Sequence, residues 1–239
     1  MRVPLRRCVL ATIVLWCASP AHAHMGLEGF GSFANGAAHP VLVPAHMLLI
    51  VALALLAGRQ GYARVSETAR TFVIGLLAGL AIVSLPAFAH TVSEARLQQL
   101  ILSGAMLAGL AVAAAANLPQ SSWRPLVALA GCLIGLDSGL DGVSAWTVTQ
   151  TYAGTAISTT VAILYLSSVA AEIHANRPHW MQIGLRIIGS WIAAIAILIL
   201  ALAFAGPSAA RKSRSASIST TPIAISCPST IWWSEFTQL

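Results

Sequence analysis

The chain has 239 residues, of which 57% are hydrophobic and only 8% are charged. Its mean hydropathy of +0.80 excludes an ordinary soluble domain and indicates an integral membrane protein. The formal net charge of +6 comes almost entirely from arginines that are scattered among short polar stretches. That pattern is typical of topology signals and speaks against a nucleic-acid partner.

Residues 1–23 have the three parts of a secretory signal peptide. Three arginines come first, an apolar stretch follows at 8–16, and residues 21–23 read Ala-His-Ala, which fits an A-x-A cleavage site. The mature chain would then begin at His24. The alternative is an uncleaved first span, but the apolar stretch is about half the ~20 residues that a spanning helix needs.

Six apolar segments follow a Gly-rich lead-in at 24–38, which we expect to lie in the periplasm or to re-enter the membrane. Each segment is close to the length that crosses ~30 Å of hydrocarbon. The sequence therefore predicts an all-α integral membrane protein, a bundle of about six transmembrane helices within residues 39–206. The Ser- and Thr-rich tail at 207–239 is expected to be disordered or weakly surface-bound. The predicted spans are 39–58, 71–90, 98–117, 125–143, 152–172 and 183–206.

The distribution of arginine predicts the orientation in a bacterial inner membrane. If the amino terminus is exported, the loop at 59–70 with its three arginines lies in the cytoplasm, as do Arg124 and the stretch 175–186. Six crossings would put the basic cluster at 211–214 in the periplasm, where positive charge is disfavoured. Either this late cluster is tolerated or one of the six segments does not cross the membrane.

Two histidines and two prolines open the first apolar segment. His39 and His46 are seven residues apart, so on a continuous helix both imidazoles would project from the same face. Ionisable side chains inside lipid usually face a cavity or the interior of a bundle. The alternative places His39 among the headgroups, with Pro40 opening the helix and His46 satisfied by a neighbouring helix. Pro44 would further loosen the backbone between the two histidines.

Other polar side chains lie near the ends of later segments. His90 and Glu94 would share a face if the helix continues through them, with an interfacial ion pair to Arg96 as the alternative. Asp137 and Asp141 are also four apart, and their oxygens would attract a divalent cation unless they belong to a solvated loop.

The two ends of the membrane region offer weaker candidates. His24, as a free amino-terminal residue, would bind metal through its amine and ring, although a disordered terminus accounts for it as well. Glu172, His174 and His179 are explained by snorkelling at a helix end. No P-loop, nucleophile elbow or dinucleotide fingerprint is present, which argues against an enzyme.

The segment FANGAAHPVLVPAH at 33–46 resembles the first span of the HupE/UreJ family of bacterial nickel permeases. The resemblance continues through FVIGLLAGL at 72–80 and Glu94, and it covers about residues 20–205. It implies a helical permease in which His39, His46 and Glu94 contact the ion and Phe72 is a packing aromatic near the path. Asp137 and Asp141 match the family only by position.

Several ligand positions depart from the family pattern H-P-x-x-G-x-D-H and H-x-H-x-H-G-x-E. Ala45 stands where the family has an aspartate, Asp137 and Asp141 stand where it has histidines, and Ser144 replaces the glutamate. Imidazole suits Ni²⁺, whereas carboxylates shift the preference towards harder ions. The loss of the acid at 45 also removes a group that would fix a histidine tautomer.

The sequence thus predicts a permease that moves a divalent metal ion, nickel by resemblance, from periplasm to cytoplasm without a resident cofactor. The alternative is a metal-binding accessory protein of the membrane whose substrate path has decayed. Neither hypothesis fixes the oligomeric state, and both leave a homo-oligomer open.

Overall fold

The computed structural model describes residues 31–85, 93–140 and 144–205. Within these ranges the chain forms seven helices and no strand, which confirms the all-α class. The chain divides into a unit that holds the bundle, Met1–Ala201, and the segment Leu202–Leu239. The helices are α1 (Ser32–Leu42), α2 (Pro44–Arg59), α3 (Tyr62–Val83), α4 (Glu94–Ala113), α5 (Gln120–Asp137), α6 (Ala145–Asn176) and α7 (His179–Ala205).

Four helices in the described part of the chain, α3, α4, α6 and α7, are long and apolar enough to cross a membrane. The bent pair α1 and α2 makes a fifth crossing if the two helices form one span. The 18-residue helix α5 does not meet the same test, because it opens with the polar turn Gln-Ser-Ser and carries an arginine in its second turn. The protein is therefore a multi-pass membrane protein, and its described helices account for four or five crossings by length and composition.

The outer surface of the bundle is apolar, as a lipid-facing surface must be. Large hydrophobic side chains such as Leu198 (60% exposed) and Ile74 (68% exposed) point away from the core. Trp146 near the start of α6 and Trp180, just beyond the end of α6, are also exposed, so they lie at opposite ends of that helix. Exposed tryptophans at both ends match the aromatic belts of a bilayer-spanning protein.

The loop predicted at 59–70 is wrong, because α3 begins at Tyr62 and only two residues join it to α2. Ion pairs explain why the charged stretch is helical. The Glu67 carboxylate accepts hydrogen bonds from Arg64 Nη1 at 3.2 Å and from Arg124 Nε at 2.6 Å. The first of these pairs lies within one helix turn and the second joins α3 to α5, so the helix extends beyond the apolar segment.

Five arginines lie at one end of the bundle. Hydrogen bonds join Tyr62 to Glu172 and Arg186 to the carbonyl of Ala113, which places the starts of α3 and α7 beside the ends of α6 and α4. Arg96, in the first turn of α4, lies at the other end. The five arginines at the common end are Arg59, Arg64, Arg124, Arg177 and Arg186.

Helices α3 and α5 pack so closely that their backbones touch. A Cβ added to Gly75 would fall on the backbone carbonyl of Ala128, and one added to Gly79 would fall on that of Cys132. In return, Gly131 of α5 faces the backbone of α3. Small residues allow this approach in lipid, where hydrophobic burial does not drive helices together.

The 32-residue helix α6 supports both halves of the bent pair. Near its start, Gly154 lies against the backbone of α1, and the hydroxyl of Thr155 donates to the carbonyl of Gly36 at 3.0 Å. Near its other end, Ala170 lies against Gly58 of α2. Because one rigid helix holds α1 and α2, the angle between them is fixed by packing.

The close contact between α3 and α5 yields a stability prediction. Gly75→Ala should lower the free energy of unfolding by about 2 kcal/mol, since overpacking costs roughly 1–3 kcal/mol. Gly184→Ala in α7 is the control, because a Cβ at Gly184 would meet nothing within 4 Å. Denaturant titration in detergent measures both variants, and equal stability of the two would contradict the proposed packing.

Candidate metal site

The first predicted span is not one continuous helix. α1 ends at Leu42, α2 begins at Pro44, and their axes differ by 71°. Val43 between them is extended, with φ −86° and ψ 108°, because proline disfavours the helical conformation in the residue before it. Pro44 has no N–H, so the carbonyl of Pro40 lacks its helical partner. Broken helices of this kind often form ion sites in membrane transporters.

The break brings the two histidines of this segment together. His39 lies in the last turn of α1 and His46 in the first turn of α2. Their ring centroids are 5.2 Å apart, with ring planes at 71°. On a straight helix, residues seven apart are separated by about 10 Å along the axis. The expectation of a continuous helix is therefore wrong, but the bend brings the rings nearer than a straight helix would.

His46 is fixed by Asp137, the last residue of α5. Nε2 of His46 lies 2.9 Å from Oδ2 of Asp137, and the two side chains are 0% and 4% exposed. A carboxylate at a helix carboxyl terminus is opposed by the helix dipole and by desolvation, so it needs a donor here. The imidazole N–H supplies that donor.

This hydrogen bond leaves the other ring nitrogen of His46 available. Because an ionised carboxylate only accepts, Nε2 is the donor in this pair, and in the neutral imidazole the lone pair is then on Nδ1. Among the described residues, Nδ1 is buried and has no hydrogen-bond partner. A histidine that donates one nitrogen to a carboxylate and directs the other at a metal is a recurrent arrangement in metal sites. The geometry at His46 fits that arrangement.

Two other predicted residues occupy different environments. Glu94 is the first residue of α4, and its side chain is exposed. In the described part of the chain, His46 has a hydrogen bond to Asp137 and a ring contact with His39, so Glu94 is not its partner. Phe72 is fully buried in the hydrophobic core, where the backbone of its turn lies against Gly131.

Three predicted residues, His24, His90 and Asp141, lie outside the described residues. The expectation that His90 and Glu94 share a helix face stays a prediction, because His90 lies outside the described residues, although α4 begins at Glu94 after an extended Ser93. Over residues 31–85, 93–140 and 144–205 no group of three or more His, Cys, Asp or Glu side chains is arranged to hold a metal ion. The site there consists of two imidazoles with one carboxylate behind them.

The hydroxyl groups that hold this site in place were not identified from the sequence. Thr151 and Thr155 of α6 donate to the carbonyls of Ser32 and Gly36 at 3.2 and 3.0 Å and so tie α1 to α6. The sequence did contain a signal for this role, because two threonines four residues apart in an apolar helix lie on one face and can bond to a neighbouring helix. Without these bonds, α1 would be held by the short connection at Val43 and by apolar packing.

The sequence of residues 12–199 matches the family model described as HupE / UreJ protein. The chain belongs to the HupE/UreJ family. The resemblance seen in the first span is thereby confirmed, and the match includes the bent pair and Asp137. Neither a curated protein nor a solved structure matches the chain. The HupE/UreJ family is associated with transport of nickel or cobalt, and its members are transporters rather than enzymes.

The pairing of His46 with Asp137 predicts the behaviour of an amide variant. Asp137→Asn should weaken nickel binding by about 10–100-fold, the usual effect of losing a group that orients a metal-binding histidine. An amide both donates and accepts, so it no longer keeps the lone pair on Nδ1. Calorimetric titration of the purified protein with Ni²⁺ measures the change.

Glu172→Gln is the matched control for this prediction. It is also an acid-to-amide change, and Glu172 lies at the other end of the bundle, where it accepts a hydrogen bond from Tyr62. Its nickel affinity should equal that of the wild type. An equal loss in both variants would show that Asp137 has no special relation to the metal.

Proposed function

We propose that this HupE/UreJ protein is an inner-membrane permease for a divalent transition-metal ion, nickel, which it moves from periplasm to cytoplasm. The observation that carries the proposal is the pair of imidazoles at the break between α1 and α2, with Asp137 behind His46. Imidazole nitrogen suits Ni²⁺ better than it suits Mg²⁺ or Ca²⁺. Family membership supports metal transport in general.

The small number of ligands supports conduction rather than storage. A transported ion must bind well enough to enter and weakly enough to leave. Two imidazoles form a weaker site than the four closed ligands of a structural zinc centre. Both histidines lie at the bend, where packing against α6 holds their rings 5.2 Å apart.

The position of the acid differs from the family pattern in a way that preserves its role. The family pattern has an aspartate at position 45, where this chain has the buried Ala45. Asp137 reaches His46 from α5 instead. We infer that Asp137 replaces the missing neighbour as the group that sets the tautomer of His46, so the substitution at 45 does not abolish the site.

The five arginines at one end of the bundle support the orientation. Positive charge accumulates on the cytoplasmic side of bacterial membrane proteins. The His39–His46 pair then lies towards the periplasmic side, near the starts of α2 and α6, where an entering ion would meet it first. We assign His39 and His46 as ligands, and keep Glu94, His24, His90 and Asp141 as expected contributors to collection of the ion.

Uptake of radioactive nickel tests the proposal directly. Cells that make the wild type should take up nickel faster than cells lacking the protein, and His46→Ala should abolish the gain because Ala has no donor nitrogen. Asp137→Asn should reduce the gain by about tenfold or more. Glu172→Gln should retain it, and immunoblotting of membranes controls for protein level.

The same assay separates the permease from the accessory protein. If the wild type gives no uptake above the background although purified protein binds Ni²⁺ through His46, the accessory hypothesis is supported and the permease hypothesis fails. If His46→Ala transports as fast as the wild type, the site is wrongly assigned.

A further inference from the structure

A cavity lies at the arginine-rich end of the bundle, at the opposite end of α2 from the histidine pair. Its volume is about 170 Å³, and it lies between the end of α2, the end of α4 and the turn that joins α6 to α7. Two arginines, two histidines and a glutamine line it, and no acidic residue does. The polar lining residues are Arg59, His174, His179, Gln182 and Arg186.

Arg59 is the residue that makes this cavity unusual. Its Nη1 nitrogen is buried, and it has no hydrogen-bond partner within the described part of the chain. A buried guanidinium nitrogen without an acceptor is costly, since an unsatisfied charged donor loses its hydration without compensation. A hydrogen-bond acceptor in this cavity would therefore stabilise the buried Nη1 of Arg59.

Arg186 increases that need. Its Nε donates to the carbonyl of Ala113 at 2.9 Å, which holds the guanidinium at the rim of the cavity. The positive charges of Arg59 and Arg186 are close enough to repel each other. Because arginine stays protonated, the pair cannot relieve this repulsion by losing a proton. An anion between the two guanidinium groups would relieve it.

The remaining polar groups around the cavity are donors or are already engaged. Gln182 donates to the carbonyl of His174 at 3.1 Å, which fixes the turn between α6 and α7. Glu172, the nearest acid in the sequence, is bound to Tyr62 and Asn176 instead and does not line the cavity. The described chain thus supplies positive charge and N–H groups here without a counter-charge.

We propose that Arg59 and Arg186 form a binding site for a phosphate group, supplied by an anionic phospholipid headgroup or by soluble phosphate. The planar guanidinium forks match the oxygens of a phosphate. Basic pockets between helices on the cytoplasmic side are a known setting for anionic headgroups. The cavity is also large enough for a phosphate group. This site does not depend on which ion the protein transports.

The test uses the full-length protein in a neutral detergent and measures its melting temperature. The probes are a short-chain phosphatidylglycerol, a phosphatidylcholine of the same chain length, inorganic phosphate, and chloride at equal ionic strength. Phosphatidylglycerol or inorganic phosphate should raise the melting temperature in a saturable way, because a ligand that binds only the folded state stabilises it. Phosphatidylcholine and chloride should not.

The variants locate the effect. Arg59→Gln and Arg186→Gln should each raise the half-saturating concentration about tenfold or more, since each removes charged hydrogen bonds to the ligand. Arg177→Gln is the matched control, because Arg177 is exposed at the same end and does not line the cavity. If Arg59→Gln does not fold, Arg186→Gln decides the test, because its side chain is exposed.

The outcomes are distinct. A response to phosphatidylglycerol alone identifies a lipid headgroup, and a response to inorganic phosphate as well identifies soluble phosphate; both support the site. Equal shifts in melting temperature with all four probes would overturn the proposal. An equal rise in half-saturating concentration in Arg177→Gln would overturn it as well.

Discussion

The hydrogen bond between His46 and Asp137 is the interaction on which the candidate site depends. A carboxylate that is 4% exposed at the end of α5 is unfavourable unless a donor compensates its lost hydration. His46 compensates it through Nε2, which lies 2.9 Å from the carboxylate, and the same contact holds the ring in place. The same contact joins the beginning of α2 to the end of α5, so a single bond both positions the ring and closes the bundle at that end.

The bend at Val43 brings the ring of His39 close to that of His46. A proline at 44 forces the preceding residue out of the helix, and α6 holds both pieces through close backbone contacts at Gly36, Gly58 and Gly154. The rings of His39 and His46 meet because the chain turns between them. Packing against α6 therefore fixes the angle of the break at Val43, and this angle fixes how the two imidazoles are arranged.

The sequence was sufficient for the fold class, because apolar length is a local signal, and it singled out two histidines whose rings the structure brings to within 5.2 Å. It was insufficient for the bend, since X-Pro is compatible with a kinked as well as a broken helix. It was also insufficient for the role of Asp137. Spacing suggested a partnership with Asp141, which lies outside the described residues, whereas the hydrogen-bond partner in the structure, His46, lies 91 residues away in the sequence and only packing brings it near. The prediction of a loop at 59–70 was wrong because Glu67 pairs with Arg64 and Arg124, and these ion pairs stabilise the charged beginning of α3.

The two ends of the bundle differ in charge, and the difference bears on how an ion would leave. His46 and Arg59 are the near and far ends of α2, so they are separated by about 20 Å along the axis. At an effective dielectric constant near 20, a divalent cation at the histidines is opposed by Arg59 with ~1.7 kcal/mol, and this opposition grows as the ion moves inward. Arg186 adds to it. A bound phosphate would cancel most of this charge, so an anion at Arg59 and Arg186 would lower the electrostatic barrier for a cation approaching the arginine-rich end. The cation site and the anion site therefore share no residue, yet an anion bound at one end of α2 would change the electrostatic energy of a cation at the other end.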